Sequence, residues 1–346
     1  MVEVPTDLRK YGLMVGPTLH DVATAAGVSI TTASRVLANR GDFSLDTRAR
    51  VLQAATEIGY ERTRTRRGRP AVVDARAIEF VCGLFGDYWA DETTAGARHA
   101  ALRSGVDLVM TMERNRPEDD WPVRVSTRRS SGVVLAIITP TSAQIDQLRS
   151  INMPLALLEP PSEPPAGVSS VSADIRQGGY DAAAHLVECG YERFALVRGE
   201  PRLRFGRARD EGFRAGLRER AGVEELVTAD GDWNGTISRN AIPDSLFADP
   251  RRLGVFAYND ALALSFAQAA KAAGARIPID VGIVGVDGDI RGAASEPPLT
   301  TVRQPLREMA MRAVEIVLAH REHPLSEPVQ EVLPTELVLR GSTGHR

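Results

Sequence analysis

Two cysteines in 346 residues, Cys82 and Cys189, are too few and too far apart for a disulfide framework or a thiolate metal site. They read as reduced, buried thiols. The six histidines are scattered and join no H-E-x-x-H or C-x-x-C…H pattern, so no metal site is expected. No apolar run reaches the length of a membrane span, and the first residues, M-V-E-V-P-T-D-L-R-K, hold no signal-peptide core. Those absences lead to the expectation of a cytoplasmic protein. Catalytic and phosphate-cradling motifs are missing too. No G-x-G-x-x-G follows a strand-like run, and there is neither a G-x-S-x-G elbow nor a Walker A sequence. G-I-V-G-V-D-G (282–288) has the wrong spacing for a dinucleotide turn. Neither a cofactor nor an enzymatic reaction is expected.

What is present suits two or three soluble domains with sizeable cores: 43% of residues are hydrophobic and 25% charged. The net charge of −3 does not by itself suggest nucleic acid, but its distribution does. Residues 1–70 hold eleven Lys/Arg against seven Asp/Glu, whereas the rest of the chain holds 31 against 38. A basic head on an acidic body suits a small DNA-binding module carried by a larger domain.

Residues 1–16 read as a flexible polar tail. Thr18–Leu37 then reads as two short helices around a glycine turn. Thr18 and Asp21 form a capping-box-like pair, with Val22, Ala25 and Ala26 at helical spacing behind them. Gly27 suits a left-handed C-cap and Ser29 an N-cap for the second helix. That helix places Ala33, Val36 and Leu37 on an apolar side and leaves Ile30, Thr31, Ser34 and Arg35 more exposed. The arrangement is that of a helix-turn-helix, although an ordinary helical hairpin shares these features. A third helix is expected from about Asp46 to Ile58, capped by Ser44. Arg62–Pro70, R-T-R-T-R-R-G-R-P, has five arginines and no acid, which fits a solvated linker or a phosphate and minor-groove contact.

From Ala77 onward, apolar strand-like runs alternate with helical ones. Strands are expected at 77–85, 106–111, 132–138 and 154–158, with helices at 92–103 and 142–151. A second series has helices at about 175–189, 206–220, 235–246 and 261–273. Its strands fall at 194–197, near 226, at 253–257 and at 281–286. A helix at about 307–319 precedes the C-terminal L-P-T-E-L-V-L-R-G-S-T. Such alternation predicts an α/β fold of parallel sheets covered on both faces, here as two doubly wound lobes.

The pattern D-V-A-x-x-A-G-V-S-x-x-T-x-S-R-V-L (21–37), continued through Asn39 to Tyr60, closely resembles the headpiece of the LacI/GalR family of bacterial transcription regulators. Ala33 stands where that family usually has Val. F-A-Y-N-D-A-L-A (256–263), A-A-G-A-R-I-P-I-D-V-G-I-V-G-V-D (272–287), P-P-L-T-T-V-R-Q-P-L (297–306) and the C-terminal run extend the resemblance over residues 17–343. It implies a headpiece at 17–61, a basic hinge at 62–76 and a periplasmic-binding-protein-like effector and dimerisation body at 77–343. The N-lobe would take about 77–172 and 304–329, the C-lobe about 174–302 and 331–343, with crossovers near Ala173, Arg303 and Glu331. The family's hinge commonly carries a leucine that wedges into the minor groove. Arg69 falls there instead, beside Gly68 and Pro70, and R-G-R-P (67–70) resembles the core of an AT-hook.

For DNA, Arg35 matches the family's guanine-reading arginine, against a phosphate contact or surface ion pair as the plainer use. Ile30 and Thr31 match positions that set operator preference, with headpiece packing as the plainer use. Ser29, Thr32 and Ser34 read as backbone positioners, and Thr18, Asn39, Arg64, Arg67 and Arg69 complete the DNA-binding set. For the effector, Asp87, Tyr88 and Trp89 follow the first strand. Arg209 matches the family's effector-binding arginine, with Arg207 as its near alternative. Asn259 and Asp287 match positions that bond sugar hydroxyls, Trp233 matches a cleft aromatic, and Glu159 lies near another such position. Core packing is the plainer use of each aromatic, and a surface ion pair that of each charge. The D-G-D run (287–289) stands where the family often has Asp-Asp.

The resemblance implies a homodimeric, nucleoid-associated repressor. It would bind palindromic double-stranded operator DNA under the control of a mono- or oligosaccharide, with no membrane partner. A dehydrogenase lacks its fingerprint here. A sugar-transport protein would need an export signal and no helix-turn-helix. An architectural DNA binder would show no operator preference.

Overall fold

The computed structural model describes residues 18–37, 43–60, 77–83, 86–113, 120–128, 130–237, 241–243, 245–323 and 327–344. The chain divides into two units, Met1–Val73 and Asp74–Arg346. The tail, Asn39 and the hinge with Arg64, Arg67 and Arg69 lie outside the described residues.

Three short helices make up the described residues of the first unit: α1 (Leu19–Ala26), α2 (Ile30–Leu37) and α3 (Leu45–Glu57). Thr18 and Asp21 close a reciprocal capping box on α1, with the Thr18 N–H donating to Asp21 Oδ2 at 2.8 Å. Gly27 ends α1 at φ 63°, ψ 40°, a left-handed conformation that a side chain would strain. The Thr32 N–H donates to Ser29 Oγ at 3.1 Å, and the Thr47 N–H to Ser44 Oγ at 3.2 Å, so α2 and α3 also begin on hydroxyl caps. Val22, Ala23, Ala26, Ala33, Val36, Val51, Ala54 and Ala55 form the core between them. The expected Ala25 faces outward, and Ala23, two positions before it on the helix, packs inward in its place. Each buried valine contributes roughly 1.5–3 kcal/mol by leaving water.

Among the described residues, the second unit holds two six-stranded sheets. The first begins with β1 (Ala77–Cys82), α4 (Tyr88–Arg103), β2 (Asp107–Met112), α5 (Trp121–Arg128), β3 (Gly132–Ala136), α6 (Ser142–Ser150), β4 (Leu155–Leu158) and β5 (Ser169–Ala173). The chain then builds α7 (Ile175–Glu188), β6 (Arg193–Arg198), α8 (Arg204–Ala221), β7 (Val227–Asp230), α9 (Ser245–Ala248) and β8 (Leu253–Ala257). After these come α10 (Asp260–Ala272), β9 (Val281–Asp287), α11 (Ile290–Ala293) and β10 (Thr300–Arg303). It returns through α12 (Leu306–Glu322) and β11 (Gln330–Leu333), and crosses once more to β12 (Glu336–Val338). The strand orders are β11-β5-β4-β3-β1-β2 and β12-β10-β9-β8-β6-β7. Every pairing is parallel except β12 with β10. Apolar strands buried on both faces, with helices covering them, make each sheet the centre of its own core. Helices α7 and α8 cross closely because Gly212 has no side chain. A Cβ there would lie 1.9 Å from the Arg176 carbonyl oxygen.

Four expectations need correction. Helix α4 starts at Tyr88 rather than Glu92, since Asp87 Oδ1 accepts from the Ala90 N–H at 2.7 Å and caps it there. Among the described residues of 235–246, no helix appears before Ser245. Asp232 Oδ1 instead accepts from the N–H groups of Asn234 and Thr236, each at 2.9 Å, and folds a tight turn closed by a Gly231–Ile237 bridge. Helix α5 and strand β5 were not expected. The third crossover lies at 334–335 and not near Glu331, because Glu331 pairs with Val171 inside the first sheet.

Candidate functional site

In the first unit the second helix keeps its outer face free of packing. Ile30 is 48% exposed, and Thr31 and Arg35 are exposed with it. Thr32 and Ser34 are half-buried, and the Ser29 and Thr32 hydroxyls share a hydrogen bond at 2.8 Å. The Arg35 guanidinium lies over the Phe43 ring, 5.6 Å from its centroid. That contact orients the side chain. Thr18 is committed to the α1 cap.

In the second unit a cavity of about 230 Å³ opens where carboxyl ends of strands from both sheets meet. Open α/β sheets place ligands at such ends. Eight of the nine effector residues expected from the sequence line it: Asp87, Tyr88, Trp89, Glu159, Arg209, Trp233, Asn259 and Asp287. The ninth, Arg207, does not. Two residues along α8 is more than half a turn, so Arg207 points outward and donates to the Arg202 carbonyl oxygen.

Arg209 is 4% exposed and held between two rings, 5.4 Å from the Phe205 centroid and 5.5 Å from that of Trp233. Its Nε and Nη1 have no hydrogen-bond partner. Burial pulls its pKa below the usual value. The Asp287 carboxyl is pushed up to about 7 by burial, against the pull of Arg209 and of Gln304, whose Nε2 donates to Oδ1 at 2.7 Å. Behind it, Asp260 accepts from the Asp289 N–H and from Thr301 Oγ1 at 2.7 Å. Burial and the Asp287 charge hold Asp260 well above the carboxylate range. Glu159 is raised by burial as well, although its Oε2 accepts from the Ala173 N–H at 3.1 Å. Asn259 Oδ1 accepts from the Leu262 N–H at 2.9 Å, and its Nδ2 donates to the Trp233 carbonyl oxygen at 2.8 Å. One Nδ2 hydrogen is left over for the cavity.

Phe205, Gln304 and Arg291 also line the cavity and were not singled out from the sequence. Phe205 had a signal: it stands four residues before Arg209, the spacing at which helical side chains meet. Gln304 lies in the second crossover between lobes and carried none. Among the described residues no cluster of His, Cys, Asp and Glu could hold a metal ion, and no helix is long and apolar enough to cross a membrane.

The chain is similar to known proteins over most of its length. The family of bacterial regulatory proteins called the lacI family matches residues 18–63, and the periplasmic binding protein-like domain matches residues 183–343. An HTH-type transcriptional regulator in the aml 5′ region of Streptomyces limosus is 30% identical over 345 residues, covering 94% of both chains. The HTH-type transcriptional regulator DegA of Bacillus subtilis is 28% identical over 345 residues, covering 94% of this chain and 98% of its own. A solved complex of the transcriptional regulator CelR with cellobiose superposes with a TM-score of 0.69 at 27% identity, covering 94% of this chain and 99% of that one. These relatives are transcriptional regulators and not enzymes, and the chain belongs with them to the LacI family of DNA-binding transcriptional regulators.

Proposed function

We propose that the chain is a repressor whose hold on operator DNA is set by a sugar bound in the cavity between its lobes. The observation that carries this reading is Arg209, a buried guanidinium with open N–H groups, set opposite Asp287 in an aromatic-walled cavity. Sugar recognition needs that combination: rings against C–H faces and planar charged groups against hydroxyls. The cellobiose held by the similar CelR chain supports the same ligand class.

Two headpieces related by a two-fold axis read a palindrome, so the working form is a homodimer beside DNA in the cytoplasm. Arg35, Ile30 and Thr31 read base edges, and Thr18, Ser29, Thr32 and Ser34 position the backbone; Asn39 and the hinge arginines Arg64, Arg67 and Arg69 extend the contact. The sugar shifts operator affinity by its differential affinity for two lobe arrangements. A footprint on the DNA upstream of the chain's own gene, with and without sugars, tests this. The expected result is a protected palindrome whose protection changes with one sugar. Protection that ignores sequence would favour an architectural DNA binder instead.

A further inference from the structure

The polar groups of the cavity are unbalanced, and the imbalance restricts what can fill it. Asp87 and Glu159 come from one lobe, Asp287 and Asp289 from the other, and Asp260 is sealed behind them. Two guanidiniums line the cavity with these acids, and a third, Arg204, forms an ion pair with Glu159 from outside it. Arg291 is taken up by Asp289, to which its Nε donates at 2.7 Å. Arg209 remains, with Nε and Nη1 unpartnered and no ion pair to it among the described residues. On the acid side, Glu159 Oε1 has no hydrogen bond, and Arg204 Nη1 stands off at 3.6 Å.

Three kinds of ligand group can be weighed against this set. A phosphate or carboxylate can accept from Arg209, but it cannot donate to the acids and would lie among like charges in a medium of low dielectric. Burial already holds Glu159, Asp260 and Asp287 above the carboxylate range, so a further anion would force protons onto them. An ammonium can donate to the acids, but it cannot accept from Arg209 and is repelled by it. A hydroxyl does both at once. The faces of Tyr88, Trp89 and Trp233 then cover the carbon skeleton.

The geometry points to an uncharged polyhydroxy compound as the effector, with phosphorylated and carboxylated sugars rejected. This rests on the sugar reading of the cavity and narrows it.

Calorimetric titration of the full chain tests it. Glucose, galactose, ribose and cellobiose are compared with glucose 6-phosphate, ribose 5-phosphate and glucuronate. The expected result is a binder among the uncharged sugars whose charged counterparts bind about tenfold more weakly or worse. A charged counterpart that binds as tightly as its parent overturns the inference and leaves the sugar reading standing. Asp87→Asn keeps a side chain able to cap α4 and removes one carboxylate from the wall. It is expected to narrow the gap between a sugar and its phosphate, and an unchanged gap overturns charge as the cause of rejection. If no sugar of either kind binds while the same preparation still protects a palindrome, the sugar reading falls and this one with it.

Discussion

Asn259 ties the Trp233 wall of the cavity to the start of α10. Its amide donates to the Trp233 carbonyl oxygen at 2.8 Å while its carbonyl caps the helix through Leu262. One side chain therefore sets both a helix end and the aromatic that flanks Arg209. Asn259→Ala is expected to cost about 1 kcal/mol of stability through the lost cap, seen as a Tm lower by about 2–4 °C. It should also weaken effector binding by about tenfold, because the turn that carries Trp233 is no longer held. Asn259→Asp keeps the cap and loses the donor, so it should lose affinity with a smaller fall in Tm. Equal affinity in all three proteins would show that the turn holds itself.

Arg209 is expected to trade stability for ligand binding. Its charge is fully buried, its neighbours are ring faces, and two of its N–H groups are open. Replacing a buried, incompletely paired ion by an apolar side chain of similar length is often neutral or stabilising. Arg209→Met should therefore hold or raise Tm and abolish the shift that the effector produces. A large fall in Tm would mean that the guanidinium is a structural element of the unliganded protein.

Much of this site was legible because strand ends were. Runs such as V-V-L-A and V-G-I-V-G-V announce buried parallel strands, and the residues after them fall at the cavity. Strand β5 was not legible. Its sequence S-S-V-S-A lacks an apolar run, yet it is buried because Ser169 Oγ accepts from the Val329 N–H and Ser172 Oγ from Arg204. Those partners are distant in sequence. The 235–246 segment misleads in the opposite direction: a helix is expected there, but Asp232 folds 234–236 into a turn and the described helix begins only at Ser245. Gln304 could not be found locally, since its partner Asp287 comes from the far side of a crossover.

Asp287 is expected to make both stability and effector binding depend on pH. Its carboxyl, at about 7, faces Arg209 and Gln304 on one side and the acids Asp87, Asp289 and Asp260 on the others. The folded pKa lies above the unfolded value, near 3.9. Between about pH 4 and 7 the folded chain keeps a proton that the unfolded chain has released, so stability falls as pH rises through that window. Asp287→Asn should be more stable than the parent at pH 8, by at most about 4 kcal/mol, with the two converging near pH 4. A hydroxyl donating to Asp287 favours its ionised form, so effector binding should release a proton and tighten from pH 6 to 8. Titrations in two buffers of different ionisation enthalpy measure that proton; uptake would mean that a protonated Asp287 is the donor.

Arg35 packs on Phe43 in the headpiece and, on the proposed reading, faces DNA. Its guanidinium rests over Phe43 while its helix face is open, so the side chain is oriented before DNA arrives. Arg35→Ala is expected to cost about 1–3 kcal/mol of operator binding and to relax preference at one base pair in each half-site. Phe43→Leu leaves the arginine in place and removes its support. It should weaken binding by less and leave the preferred base unchanged. Binding measured on operators varied one position at a time separates these outcomes: a uniform loss at all positions for Arg35→Ala would assign the side chain to a phosphate, because a phosphate contact carries no base preference.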